Sequence, residues 1–481
     1  MWSTVRSVPV ATEWTGLSPE LLVPLDRNLA EPLRSQLESA LRDAIRSGRL
    51  RAGERLPSTR ELARSLGVSR GLVVECFEQL QAEGYLASRA GSTTRVAPTA
   101  EISARSVLPQ PAPPAQRGLD VDFLPAVPDL TTFPRGDWAW AVREVCREAP
   151  SAAFGYGDPR GSEVLRTVLA GYVGRVRAAA AEPDQIVVST GFSQGLNLAL
   201  KVLAQQRGVR RVGFENPGYD ETGRAASAWA GTEIVPIPVD EQGIRVDALA
   251  ATGVEAVVLT PAHQWPTGVV LSPQRRHALA AWAKNSGSMV IEDDYDAEFR
   301  YDREPIGAVQ GLVPDHVISI GTLSKTLAPT MRLGWILCPA SLVHAIAELK
   351  ISTDRGPGLD QLVAAKLIES GRFDRHLRRM RRLYAAKRDA LVESLARHAP
   401  SVAVTGLTAG FHAVAHLPAG VGEVDVVDAA RDRGVGLYGM SANRADRSVE
   451  PPQLVLGFGN LTERAIRSGI ATAGDLLEGN G

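Results

Sequence analysis

Lysine is scarce in this chain, with six residues against 47 arginines in a length of 481. Its basic surface is therefore almost all arginine, and a lysine at a strand end invites a chemical question. Lysine can form an imine with an aldehyde, which arginine cannot. Cysteine is scarcer still. Cys76, Cys146 and Cys338 are odd in number and far apart, without CxxC spacing or a nearby histidine cluster, which argues against a disulfide scaffold or a structural zinc site. No stretch reaches the roughly 18 apolar residues of a membrane span, and the leading MWSTVRSVPVATEWTGL lacks the apolar core of a signal peptide, so the cytosol is the expected location. An excess of either charge is missing too: 53 basic against 54 acidic residues give a net charge of −1, so any nucleic-acid surface must be local.

What is present is an ordinary globular composition, 44% hydrophobic and 22% charged, in a length that predicts two or three cores. Residues 98–118, PTAEISARSVLPQPAPPAQRG, have the composition of an extended linker. They divide a short module, 25–97, from a long one, 119–481. The short module carries twelve Arg, no Lys and nine acidic residues, a local excess of three positive charges.

In that module Leu33, Leu37, Leu41 and Ile45 form an apolar stripe on a helix that stops near Gly48. Ser58 and Glu61 make a capping box for a second helix, which Gly67 ends. Ser69 caps a third helix with Val73, Phe77 and Leu80 on its buried face, and YLASRAGSTTRVA reads as two short strands around a turn. This is the plan of a winged helix-turn-helix, DNA being the expected partner. Arg70, in the first turn of the third helix, is placed to face the major groove, and Arg60 and Arg89 to face phosphates. For any one of them alone, a solvated surface arginine is the plainer reading.

The long module alternates apolar runs with helical segments: 186–189, 211–215, 233–239, 256–260, 288–294, 317–322 and 334–339. Runs apolar throughout predict a doubly wound, mainly parallel sheet, with Arg-rich helices from about 340 and a small α+β subdomain at 340–481. Lys325 follows the 317–322 strand in GTLSKTLAPTMRLGW. Asp293 ends a strand expected to lie parallel to it, in EDDYDAEFRYD, so both reach one crevice. A buried carboxylate facing a pyridine nitrogen keeps that nitrogen protonated, and Tyr295 can donate to the ring's phenolic oxygen. A metal-binding or solvated turn is the alternative for three consecutive acids, but no His/Asp cluster is visible elsewhere to complete one. At STGFSQGL the strand turns through Gly191 into a helix whose first amides, at Phe192, Ser193 and Gln194, form a phosphate cradle. Arg332, Thr322 and Ser324 complete it.

Together with YGDPRG, ENPGY and TPAHQWPTG, these motifs resemble those of a fold-type I aminotransferase over 119–481. The whole chain resembles the MocR subfamily of GntR transcriptional regulators. The resemblance implies pyridoxal 5′-phosphate as cofactor, Lys325 as its internal-aldimine lysine, Asp293 as pyridine-nitrogen partner and Tyr295 as O3′ donor. It further implies Tyr219 stacked on the ring, Arg332 with Thr322 or Ser324 on the phosphate, and Tyr156 as a phosphate contact from the other subunit of a head-to-tail, domain-swapped homodimer. Three positions depart from the pattern. Gly71 and Leu72 stand where polar residues are usual in the recognition helix. Trp265 replaces an asparagine that bonds O3′. Val455 replaces the arginine that anchors a carboxylate, leaving Arg444 or Arg224 as candidates. Efficient turnover is therefore not expected, beyond weak half-transamination. The leading expectation is a regulator that senses pyridoxal phosphate or an amino compound through a lysine aldimine; the alternative is a working aminotransferase with an accessory N-terminal module.

Overall fold

The computed structural model describes residues 25–88, 93–98, 118–219, 221–301, 306–354, 356 and 358–479. It divides into two compact units, Met1–Gln116 and Arg117–Gly481. Almost all of the expected linker, and the wing turn with Arg89, lie outside the described residues.

In the first unit, helices Leu33–Arg46, Thr59–Leu66 and Arg70–Ala82 enclose a core of Leu37, Leu41, Leu62, Val73, Phe77 and Leu80. Both halves of the Ser58/Glu61 capping box are present, and Gly67 closes that helix at φ 62°. Ser69 Oγ accepts from the Leu72 amide. The wing strands pair antiparallel, Leu86 opposite Val96.

The second unit is built on an eight-stranded sheet. Its spatial order is Ile186–Ser189, Gly334–Leu337, Val317–Thr322, Met289–Asp294, Ala256–Leu259, Arg211–Asn216, Glu233–Asp240 and Gly243–Ile244. Five neighbouring strands from Val317–Thr322 to Glu233–Asp240 run parallel, so the sheet is mainly parallel as expected. Gly334–Leu337 runs antiparallel to both neighbours. The run at 233–239, expected to be covered on both faces, is instead a partly exposed strand beside the short end of the sheet, where Pro236 and Pro238 are tolerated. Helices Ala340–Ile351, Gly358–Glu369 and the 27-residue Arg372–His398 follow. A three-stranded antiparallel sheet, Ala403–Thr405, His412–His416 and Gln453–Gly457, forms the C-terminal part with two more helices. No helix among the described residues is long and apolar enough to cross a membrane.

Candidate active site

Parallel pairing of Val317–Thr322 with Met289–Asp294 places Ile320 opposite Asp293, so the loop carrying Lys325 and the acidic strand end emerge at one edge of the sheet. The Asp293 carboxyl and the Lys325 amine lie within electrostatic reach of each other. Burial lowers the Lys325 amine below its ordinary range, and the attraction of Asp293 and Asp296 opposes that shift. Its Nζ donates to the Ala126 carbonyl at 2.6 Å. Ala126 holds a left-handed backbone at φ 63°, unusual for a residue with a Cβ.

Asp293 is 2% exposed. Its Oδ2 accepts from the Tyr219 hydroxyl at 2.8 Å, while Oδ1 is buried without a partner among the described residues. Burial pushes its carboxyl well above the usual carboxylate range. Tyr219 also lies near-parallel to Trp265, with ring centroids 6.3 Å apart, and tilts against Phe192 at 5.1 Å. Trp265 packs with Val414, Met440 and Val455, so the place expected to hold a carboxylate anchor is an apolar wall.

The expected phosphate cradle centres on Gly191, which precedes helix Phe192–Gln206 with φ 112° and ψ −174°, a backbone essentially reserved for glycine. A Cβ there would stand 3.7 Å from Thr322 Oγ1 and 3.9 Å from an Arg332 guanidinium nitrogen. Thr322 Oγ1 in turn bonds the Ser324 hydroxyl and amide. Ser193 is exposed at the helix start and Phe192 half-buried. Tyr156 is 92% exposed.

The two effector candidates part company. Arg444 donates to the carbonyls of Ser448 and Pro451 and to Gln453 Oε1, so its guanidinium braces its own loop and does not face the site. Arg224 is surface-exposed, one nitrogen reaching the Ala445 carbonyl at 3.4 Å. In the first unit, Arg60 and Arg70 are exposed at the first turns of their helices.

Two features were not visible in the sequence. One is the Ala126 carbonyl, 199 positions from the lysine it binds. The other is a buried His/Asp cluster where none was expected: His263 Nδ1 stands 2.7 Å from Asp296 Oδ2, and the His263 and His412 rings lie 4.8 Å apart. At 2.7 Å the first contact has hydrogen-bond length.

Comparison with known proteins agrees with this geometry. Residues 129–443 match the aminotransferase class I and II family, and residues 33–96 match the gntR family of bacterial regulatory proteins. The second unit resembles the Pyrococcus horikoshii kynurenine aminotransferase at TM-score 0.68 and 26% identity, over 76% of this chain and 91% of that one. A DNA-binding winged helix joined to an aminotransferase domain defines a transcription regulator built on the scaffold of a pyridoxal phosphate enzyme. The chain is 32% identical to the pyridoxine biosynthesis regulator PdxR of Corynebacterium glutamicum, over 95% of this chain and 98% of that one. It is 31% identical to MocR of Rhizobium meliloti, a protein named for regulating rhizopine catabolism, over 93% and 94%. It belongs to the MocR subfamily of GntR regulators.

The aminotransferase domain implies pyridoxal 5′-phosphate as cofactor, and two features fit that group. The partnerless Asp293 Oδ1 suits a protonated ring nitrogen, and the glycine turn facing Thr322 and Arg332 suits a phosphate, with only hydrogen where a Cβ would fill the cradle.

Proposed function

We propose that this regulator senses pyridoxal 5′-phosphate, or an amino compound that reacts with it, at Lys325. The single observation that carries the reading is the buried, half-unpaired Asp293 within electrostatic reach of the half-buried Lys325 amine. Such a carboxylate is costly to keep without a cationic partner. Bound there, the cofactor supplies an aldehyde open to amines and an electron-withdrawing ring.

The chain's own groups divide the remaining work. Burial favours the neutral, nucleophilic form of the Lys325 amine, and the Ala126 carbonyl directs it. Asp293 holds a proton on the ring nitrogen, Tyr295 donates to the phenolic oxygen, and Tyr219 covers the ring. Thr322, Ser324, Arg332 and the amides of Phe192 and Ser193 hold the phosphate, with Tyr156 approaching from a second subunit of a head-to-tail homodimer. An incoming amine competes with Lys325 for the same carbon. Occupancy then favours one arrangement of the dimer, because only differential contact can shift a population. The winged helices follow through the 98–118 segment, with Arg60, Ser69, Arg70 and Arg89 on the operator. Arg224 is the remaining candidate for a carboxylate on the effector.

The test is the operator footprint with and without pyridoxal phosphate, on wild type and on Lys325→Ala. Ligand should change the wild-type footprint and leave the variant's unchanged. An identical ligand response in both proteins would refute covalent sensing at Lys325. Rapid transamination by purified protein that binds no DNA specifically would instead favour a working aminotransferase.

A further inference from the structure

We propose that His263, held by Asp296, is a positioning residue that sets the direction of the Tyr295 hydroxyl proton. The inference rests on the reading of Lys325, Asp293 and Tyr295 as a pyridoxal phosphate site. His263 Nδ1 stands 2.7 Å from Asp296 Oδ2 and 3.2 Å from the Tyr295 hydroxyl. One ring nitrogen cannot donate to a carboxylate and accept from a phenol at once. The shorter contact, to an acceptor, puts the proton on Nδ1, and that N–H is then shared between Asp296 and the Tyr295 oxygen. Tyr295 is the acceptor of this pair. Its own O–H must point away from His263, and no acceptor among the described residues takes that proton.

The imidazole cannot turn away from this arrangement. A Cβ at Gly410 would come within 2.4 Å of both His263 Cε1 and Asp296 Oδ2, and one at Gly268 within 3.1 Å of His263 Nε2, so glycine backbone presses on the ring from two sides. The His412 ring closes a further side at 4.8 Å. His412 Nε2 lies 3.2 Å from the Pro266 carbonyl, which only an N–H can satisfy, so this ring carries its proton on Nε2. His263 and Asp296 are each 1% exposed and Tyr295 is 5% exposed, so bulk solvent hardly reaches the cluster. The charged and titratable groups around Tyr295 are Asp296, His263, Tyr219, Asp293 and Glu215. A phenol that accepts an N–H bond is polarised into a stronger donor, and the anionic phenolic oxygen of pyridoxal is the acceptor chemistry that fits it.

The experiment is a pH titration of the visible absorbance of full-length protein loaded with pyridoxal phosphate, for His263→Gln, His263→Asn, Tyr295→Phe and His263→Gln/Tyr295→Phe. The amide of Asn can stand in for Nδ1–H, whereas that of Gln reaches toward Nε2. His263→Gln should raise the midpoint by about one pH unit, a tenfold change in proton affinity. His263→Asn should return it to the wild-type value, and His263→Gln should shift nothing further in the Tyr295→Phe background. An unshifted His263→Gln, equal shifts in Gln and Asn, or an additive double variant would overturn the positioning role and leave the binding site standing. So would loss of loading in both His263 variants, since that marks a packing residue. A wild-type chain that takes up no pyridoxal phosphate would sink the underlying reading as well.

Discussion

Asp293→Asn separates what the buried carboxylate costs the free protein from what it contributes to the ligand. The folded-state carboxyl lies above its unfolded value because burial penalises the charge. Between about pH 3.9, where the unfolded carboxyl titrates, and the raised native value, the native state binds one proton more than the unfolded chain. Stability conferred by the protonated form is full below that window and falls by about 1.4 kcal/mol per pH unit as pH rises through it. Asparagine has no charge to lose. The difference in unfolding free energy between variant and wild type, measured by urea titration of ligand-free protein at several pH values, should therefore grow in the variant's favour with that slope and then level off. Buried Glu215 and Glu298, both pushed up to about 7, titrate in both proteins and cancel in the difference. With pyridoxal phosphate the order reverses. Losing a charge-assisted hydrogen bond of about 1.5–3 kcal/mol weakens binding roughly 10- to 150-fold. A flat difference profile, or unchanged affinity by fluorescence titration, would refute the reasoning that Oδ1 is held in reserve for a cation.

Gly191→Ala should cost about 1–3 kcal/mol in thermal unfolding, because its backbone is strained for any residue with a Cβ, and should weaken inorganic phosphate as a competitor of the cofactor. Lys325→Ala should abolish borohydride-stable attachment of pyridoxal phosphate, read by intact mass, while far-ultraviolet circular dichroism stays unchanged. Arg70→Ala should weaken operator binding by about 1–3 kcal/mol if it reads a base, or flatten the salt dependence if it touches phosphate, in a fluorescence anisotropy assay. Asp129→Ala should destabilise the fold by about 3–5 kcal/mol, since it strands the buried Lys387 ammonium, whose other partner is the Gly459 carbonyl.

The readable parts of the site share a feature: each residue lies within one strand-to-loop step of a local signal. Thr322 ends an apolar run and Lys325 follows it, Asp293 lies near the end of another, and Gly191 sits where a strand becomes a helix. Pairing partners were harder. Gly334–Leu337 is as apolar as its neighbours, and nothing in its composition distinguishes antiparallel from parallel pairing. Arg444 was a reasonable anchor by position, yet its donors are taken by carbonyls four to nine residues away in its own loop. The His263 cluster was missed because its histidines are separated by 149 positions, with Asp296 between them in sequence.

Sequence alone determined the two units, the winged helix and the chemical identity of the cleft, because periodicity, caps and strand-end motifs depend on neighbours along the chain. Only the tertiary structure decided which carbonyl receives the lysine amine, which carboxylate oxygen is left partnerless and which imidazole leans on Tyr295. Those contacts arise where distant segments close on one another, and hydrogen-bond direction is set by ångström-scale distance that no spacing along a chain encodes.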